Sequence, residues 1–68
     1  MKIQVNIREN REVRTLELSE DSNAFSVIKS IGLFPDAVLV FRDGKVLPED
    51  GPVQDGDILE IVRISSGG

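Results

Sequence analysis

Two consecutive residues, Asp43-Gly44, constrain this chain more than any other feature of it. They separate an almost continuously apolar run, residues 37–42, from the short segment Lys45-Val46-Leu47. An Asp-Gly pair tolerates the positive φ angles of a two-residue hairpin turn, whose twist matches that of the strands it joins. The run before it reads as a central strand and the segment after it as a short return strand. A sheet begun in the middle of the chain needs further strands. Residues 1–8 supply one, since Ile3, Val5 and Ile7 alternate with Lys2, Gln4 and Asn6 at the period of a half-buried strand. Glu9-Asn10-Arg11 forms a polar turn in which Asn10 is suited to positive φ. A second strand follows at about residues 12–18. Its alternation is broken, because Val13 falls on one phase and Leu16 and Leu18 on the other. A bulge, or a register ending near Thr15, would reconcile them.

Ser19, Asp21 and Ser22 are all capable helix caps. Beyond them Phe25, Ile28 and Ile31, with Ala24 and Val27, form an apolar stripe at helical spacing. Gly32 suits the left-handed residue that closes a helix, and Leu33, Phe34 and Pro35 make an apolar turn back to the sheet. After the hairpin, residues 48–52 carry a proline at each end and form a loop, not a ladder strand. Residues 54–57 turn again, and residues 58–64 are the last strand. The element order is β-β-α-β-β-β. That is an α+β arrangement, a mixed sheet with one helix across it, and the β-grasp is the leading topology for so few residues. One domain spans residues 1–64. Ser65-Ser66-Gly67-Gly68 has nothing with which to fold and is expected to be a mobile tail.

The inventory removes most enzyme chemistry. At 68 residues, folding buries only about 60% of the surface exposed by the unfolded chain, which leaves little room for a catalytic pocket. There is no His, Cys, Trp or Tyr, so the commonest general base, metal ligand and thiol nucleophile are missing. No catalytic residue and no metal site are expected. Asp55 and Asp57 flank a glycine, but two carboxylates without further ligand spacing describe a capped turn. A net charge of −4 argues against nucleic acid and anionic membrane as partners. No apolar run approaches the roughly 20 residues of a transmembrane helix, and the expected setting is the cytoplasm, with the free protein a monomer.

Two stretches stand out: residues 40–50, reading Val-Phe-Arg-Asp-Gly-Lys-Val-Leu-Pro-Glu-Asp, with residues 53–57 after it, and the closing Gly67-Gly68. Together they resemble the ubiquitin-like sulfur carriers: the thiamine-biosynthesis carrier, the small subunit of molybdopterin synthase and the small archaeal modifier proteins. The likeness covers essentially the whole chain in length and element order, and is strongest to the archaeal modifiers and thiamine-type carriers. The resemblance implies a carrier that is not itself an enzyme and binds no cofactor. A ubiquitin-activating-type adenylating partner would use ATP and magnesium to activate the terminal carboxylate of Gly68. The product would pass to sulfur donor and acceptor proteins as a thiocarboxylate, as in cofactor biosynthesis or tRNA thiolation, or to lysines of target proteins as an isopeptide bond. Gly67 and Gly68 suit a narrow channel, because a Cβ at either position would crowd the reacting carbon.

Strand phase suggests where a partner docks. With Val38, Val40, Leu59 and Ile61 facing the helix, Leu39, Phe41, Val62 and Ile64 lie together on the open sheet face, an exposed apolar patch of the kind that marks partner sites. Arg63, with Arg42, is expected to add a basic rim beside the tail. Lys2, Lys29 and Lys45 are possible sites of self-conjugation, with nothing in the sequence to select one. The alternative function is a non-covalent β-grasp interaction module with an incidental tail, for which loss of Gly67-Gly68 would be harmless.

Overall fold

The computed structural model describes residues 1–64. Strand β1 (Lys2–Ile7) and β2 (Glu12–Glu17) form the first hairpin, joined by a 3-10 turn at Arg8–Asn10. Helix α1 (Ala24–Ser30) follows, then a second 3-10 turn, Pro35–Ala37, and strands β3 (Val38–Arg42), β4 (Lys45–Leu47) and β5 (Ile58–Arg63). The five strands make one mixed sheet in the order β2-β1-β5-β3-β4. β1 and β5 are parallel, and every other pairing is antiparallel. This is the expected β-grasp, with β5 rather than β3 at the centre.

The period-two patterns decide which face each strand buries. Ile3, Val5 and Ile7 of β1, Leu59 and Ile61 of β5 and Val38 and Val40 of β3 all lie beneath the helix. The helix closes the core with Ala24, Val27, Ile28 and Ile31, the i, i+3, i+4, i+7 stripe of an amphipathic helix. Each such large side chain contributes about 1.5–3 kcal/mol on full burial. Phe25 was expected on this stripe and is not. It lies beside it, 37% exposed, with the Lys29 ammonium 5.6 Å from its ring centre one turn on.

The helix begins at Asn23, not at Ser19, Asp21 or Ser22. The Asn23 side chain accepts from Ser26 N–H at 3.0 Å, and Ser26 Oγ accepts in return from Asn23 N–H. The next free donors are met from far along the chain: Ala24 N–H donates to Gly51 O and Phe25 N–H to Glu49 O. The loop after β4 thus caps the helix start with its own carbonyls. At the other end Gly32 takes φ +80°. Its N–H donates to Lys29 O and that of Leu33 to Ile28 O, the paired bonds of a Schellman closure.

Three turn expectations resolve differently. Asp43 and Gly44 both take positive φ, 55° and 78°, as a two-residue hairpin requires. In the first hairpin Arg11, not Asn10, is left-handed, because the Asn10 side chain is engaged with Glu12, accepting from its N–H and donating to its carboxylate. β2 has neither a bulge nor an early end. Its register against β1 is unbroken from Lys2 opposite Glu17 to Ile7 opposite Glu12, and Val13 is simply 61% exposed. Val13 stands opposite Asn6, on the face that the helix leaves open, whereas Leu16, opposite Ile3, packs against the core.

Asp55 and Asp57 fasten the last turn. Asp55 accepts from Lys2 N–H at 2.7 Å, and Asp57 accepts from Gln54 N–H and from the Arg42 guanidinium. Among the described residues no three His, Cys, Asp or Glu side chains converge as metal ligands, and no helix is long and apolar enough to cross a membrane. Gly51 is required for space. A Cβ there would lie 2.6 Å from Leu47 Cδ1 and 3.0 Å from Pro48 O. Gly51→Ala is expected to destabilise the fold by about 1–3 kcal/mol, read as a lower urea midpoint at unchanged slope.

Candidate functional site

With Val38, Val40, Leu59 and Ile61 committed to the core, alternation sends Leu39 and Phe41 of β3, and Ile58, Glu60 and Val62 of β5, to the open face of the sheet. Register then sets their neighbours. Leu39 stands opposite Val62, and Phe41 lies between Glu60 on one side and Val46 on the other. Leu39 is 38% exposed and Val46 54%, while Phe41 and Val62 are half-buried. Ile64 extends the phase of Val62 past the end of β5. Its N–H donates to Ala37 O at 2.8 Å, and its side chain is exposed. Four of the five expected patch residues, Leu39, Phe41, Val62 and Ile64, therefore occupy one face.

Val46 belongs with them and was missed. A two-residue turn at Asp43-Gly44 requires Arg42 to face Lys45 and Phe41 to face Val46, so hairpin counting alone would have found it. Ile58, 58% exposed, shares the phase of Val62 at the far end of β5 and was also missed.

Arg63 is not on this face. It has the helix-side phase of Leu59 and Ile61, and its guanidinium donates to Glu9 at 3.0 Å. Nor do Arg63 and Arg42 form one rim. β3 and β5 are antiparallel, with Val38 opposite Arg63 and Arg42 opposite Leu59, so four residues, about 13 Å of strand, separate them. Arg42 is instead tied to Asp57 and to Pro52 O.

The neighbours of the β5 exit are charged pairs on the first hairpin. Arg8 pairs with Glu60 across the open face at 2.9 Å, and Arg14 pairs with Glu12. The Arg14 hydrogen bond holds the Glu12 carboxyl below its ordinary range, and the same bond raises Arg14. A hollow of about 440 Å³ opens beside the exit, lined by Arg8, Glu9, Val62, Arg63 and Ile64. Gly67, Gly68 and the expected mobile tail lie outside the described residues.

Residues 1–65 match the family model of small archaeal modifier protein 2. The chain belongs to that family. The match stops short of Gly67-Gly68. Among solved structures, the modifier protein is similar to SAMP1 from Haloferax volcanii, with a TM-score of 0.77 at 13% identity over the whole of both chains. It is similar also to the ubiquitin of Caldiarchaeum subterraneum, with a TM-score of 0.76 at 22% identity over all of this chain and 98% of that one. At these identities the structural likeness establishes the ubiquitin-like β-grasp fold alone. Family membership makes the protein a small ubiquitin-like modifier or carrier rather than an enzyme, and implies an activating enzyme and acceptors as partners in general terms.

Because Phe41 is half-buried on the open face, Phe41→Ala is expected to lower stability by about 1 kcal/mol, roughly half the transfer free energy of full burial. Leu59→Ala, at the buried centre of the sheet, is expected to cost about 2–5 kcal/mol. Urea titrations of the two variants check the contrast.

Proposed function

We propose that the protein is a carrier whose reactive group is the terminal carboxylate of Gly68. The observation that carries this reading is the placement of the β5 exit. β5, the central strand, runs the chain out beside Leu39 and Val62, at the margin of an exposed apolar patch on the sheet face the helix leaves open. A partner seated on that patch holds the domain by Leu39, Phe41 and Val46 and has the tail within reach.

In this reading an activating partner of the adenylating type supplies ATP and magnesium. A carboxylate oxygen of Gly68 attacks the α-phosphorus and pyrophosphate leaves, giving an acyl-adenylate. A sulfur nucleophile then attacks the carbonyl carbon and AMP leaves with the electron pair of the cleaved bond, giving a thiocarboxylate or thioester. A lysine amine that attacks the activated carbonyl instead forms an isopeptide bond and loses a proton. The protein contributes the electrophile, its delivery and the docking face, which suits a chain without His or Cys. Both sulfur delivery and protein modification use this one activated group, and the cytoplasm, where ATP is available, is the proposed setting.

Intact-mass spectrometry of the protein from its native cells, with a free C-terminus, tests the proposal. A fraction about 16 Da heavier, mapped to Gly68, is the expected thiocarboxylate, and lysines of other proteins bearing a remnant of the tail are the expected mark of conjugation. If both are absent while an adenylating partner is present, the carrier reading fails in favour of a non-covalent module. Gly68→Ala is expected to lower activation sharply, by crowding the reacting carbon, while leaving the melting temperature unchanged.

A further inference from the structure

The charges of this acidic domain are not spread evenly, and the topology sorts them along the strands. β1 and β5 run parallel toward the tail exit, and β3 runs away from it. The exit end therefore gathers residues 8–12 of the first hairpin, the Arg14 guanidinium that pairs with Glu12, the end of β5 and the segment from the last turn of α1 into β3. Its five basic side chains are Arg8, Arg11, Arg14, Lys29 and Arg63, against four acidic ones, Glu9, Glu12, Asp36 and Glu60, which leaves a net charge of +1. The opposite end gathers Lys2, the close of β2, the Asp43-Gly44 hairpin and the turns before β5. Residues 17–21, 42–45 and 49–57 hold eight carboxylates there, against Lys2, Arg42 and Lys45, which leaves −5. The two values add to the −4 of the chain. The ends are separated by the length of a six-residue strand, about 20 Å, which exceeds the Debye length at physiological salt.

Arg11 dominates the exit end. The other three arginines there are paired with Glu60, Glu12 and Glu9, whereas Arg11 has no ion-pair partner among the described residues and is exposed. It sits at the tip of the first hairpin, in the left-handed conformation that turns the chain into β2.

We propose that the exit end of the domain is an electrostatic docking surface for an acidic rim around the cleft of the activating partner, with Arg11 its principal contact, and that the acidic far end orients the encounter by repulsion. An anionic protein approaching an anionic rim is repelled unless its charge is segregated, and this segregation makes the end from which β5 leaves the least repelled, with Arg11 as its local attraction. Complementarity of this kind acts mainly on the association rate, by about 10- to 1,000-fold at low salt. The inference rests on the carrier reading given above.

The test compares Arg11→Glu with Lys45→Glu, two exposed substitutions that change the net charge equally but at opposite ends. Pyrophosphate release by the activating partner purified from the source cells is measured against salt. At about 0.01 M salt, Arg11→Glu is expected to lower kcat/KM roughly 10-fold through KM with kcat retained, and Lys45→Glu to change it less than about 2-fold. The Arg11→Glu deficit is expected to vanish near 1 M salt, where screening reaches about 3 Å. If Arg11→Glu melts early, Arg11→Gln against Lys45→Gln makes the same comparison. Equal responses from the two ends, or a deficit that persists at high salt, overturn the docking surface while leaving the carrier reading intact. A wild-type chain that the partner does not activate overturns the carrier reading and this inference with it.

Discussion

The parallel pairing of β1 with β5 organises everything else in the molecule. It joins two strands separated by nearly the whole chain, with Val5 beside Leu59 and Ile7 beside Ile61, and Val5, Leu59 and Ile61 are among the most buried side chains. Two parallel neighbours cannot be joined by a tight turn, so the intervening chain must travel around the sheet and return. The helix makes that journey across one face and supplies the apolar stripe that seals it. β3 can then pair only on the free side of β5, and β4 only beyond β3. Among the described residues no element crosses the face away from the helix, so that face is open.

What the sequence disclosed follows from how local each choice is. The phases of β1, β3 and β5 are set by alternation within six residues, so the buried set and the open-face residues Leu39, Phe41 and Val62 were legible without coordinates. The Asp43-Gly44 turn was equally plain, and its arithmetic contained Val46 as well. The start of the helix was not legible, because three residues before Asn23 have competent capping side chains and the carbonyls that settle the matter belong to Glu49 and Gly51, far along the chain. Phe25 and Val13 illustrate a second limit. An apolar residue is buried only if something covers it, and neither the flank of a seven-residue helix nor the open face of the sheet, to which Val13 points with Asn6, is covered. Arg63 shows a third. Expected with Arg42 on a rim beside the tail, it faces the helix side instead, because one step along the strand from Val62 crosses the sheet.

Family membership and geometry address different parts of the function. The family match covers the folded domain and makes the protein a modifier or carrier. The apolar patch and the charged hairpin beside the β5 exit describe how such a domain would be held. In the proposed reading the two surfaces would divide the labour of recognition: apolar contact would give adhesion once partners touch, and charge would act earlier, across water, on the direction of approach.

The β1–β5 ladder also has a mechanical consequence. β1 enters the sheet at the end opposite the one from which β5 leaves it, and the two strands point the same way. Tension drawn between the start of β1 and the end of β5 therefore runs along the strand axes. The hydrogen bonds of the ladder are sheared together, where a hairpin pulled at its open end would part them one at a time. A partner that pulled on the end of β5 while the start of β1 was anchored would load this ladder in shear, not peel it from one end.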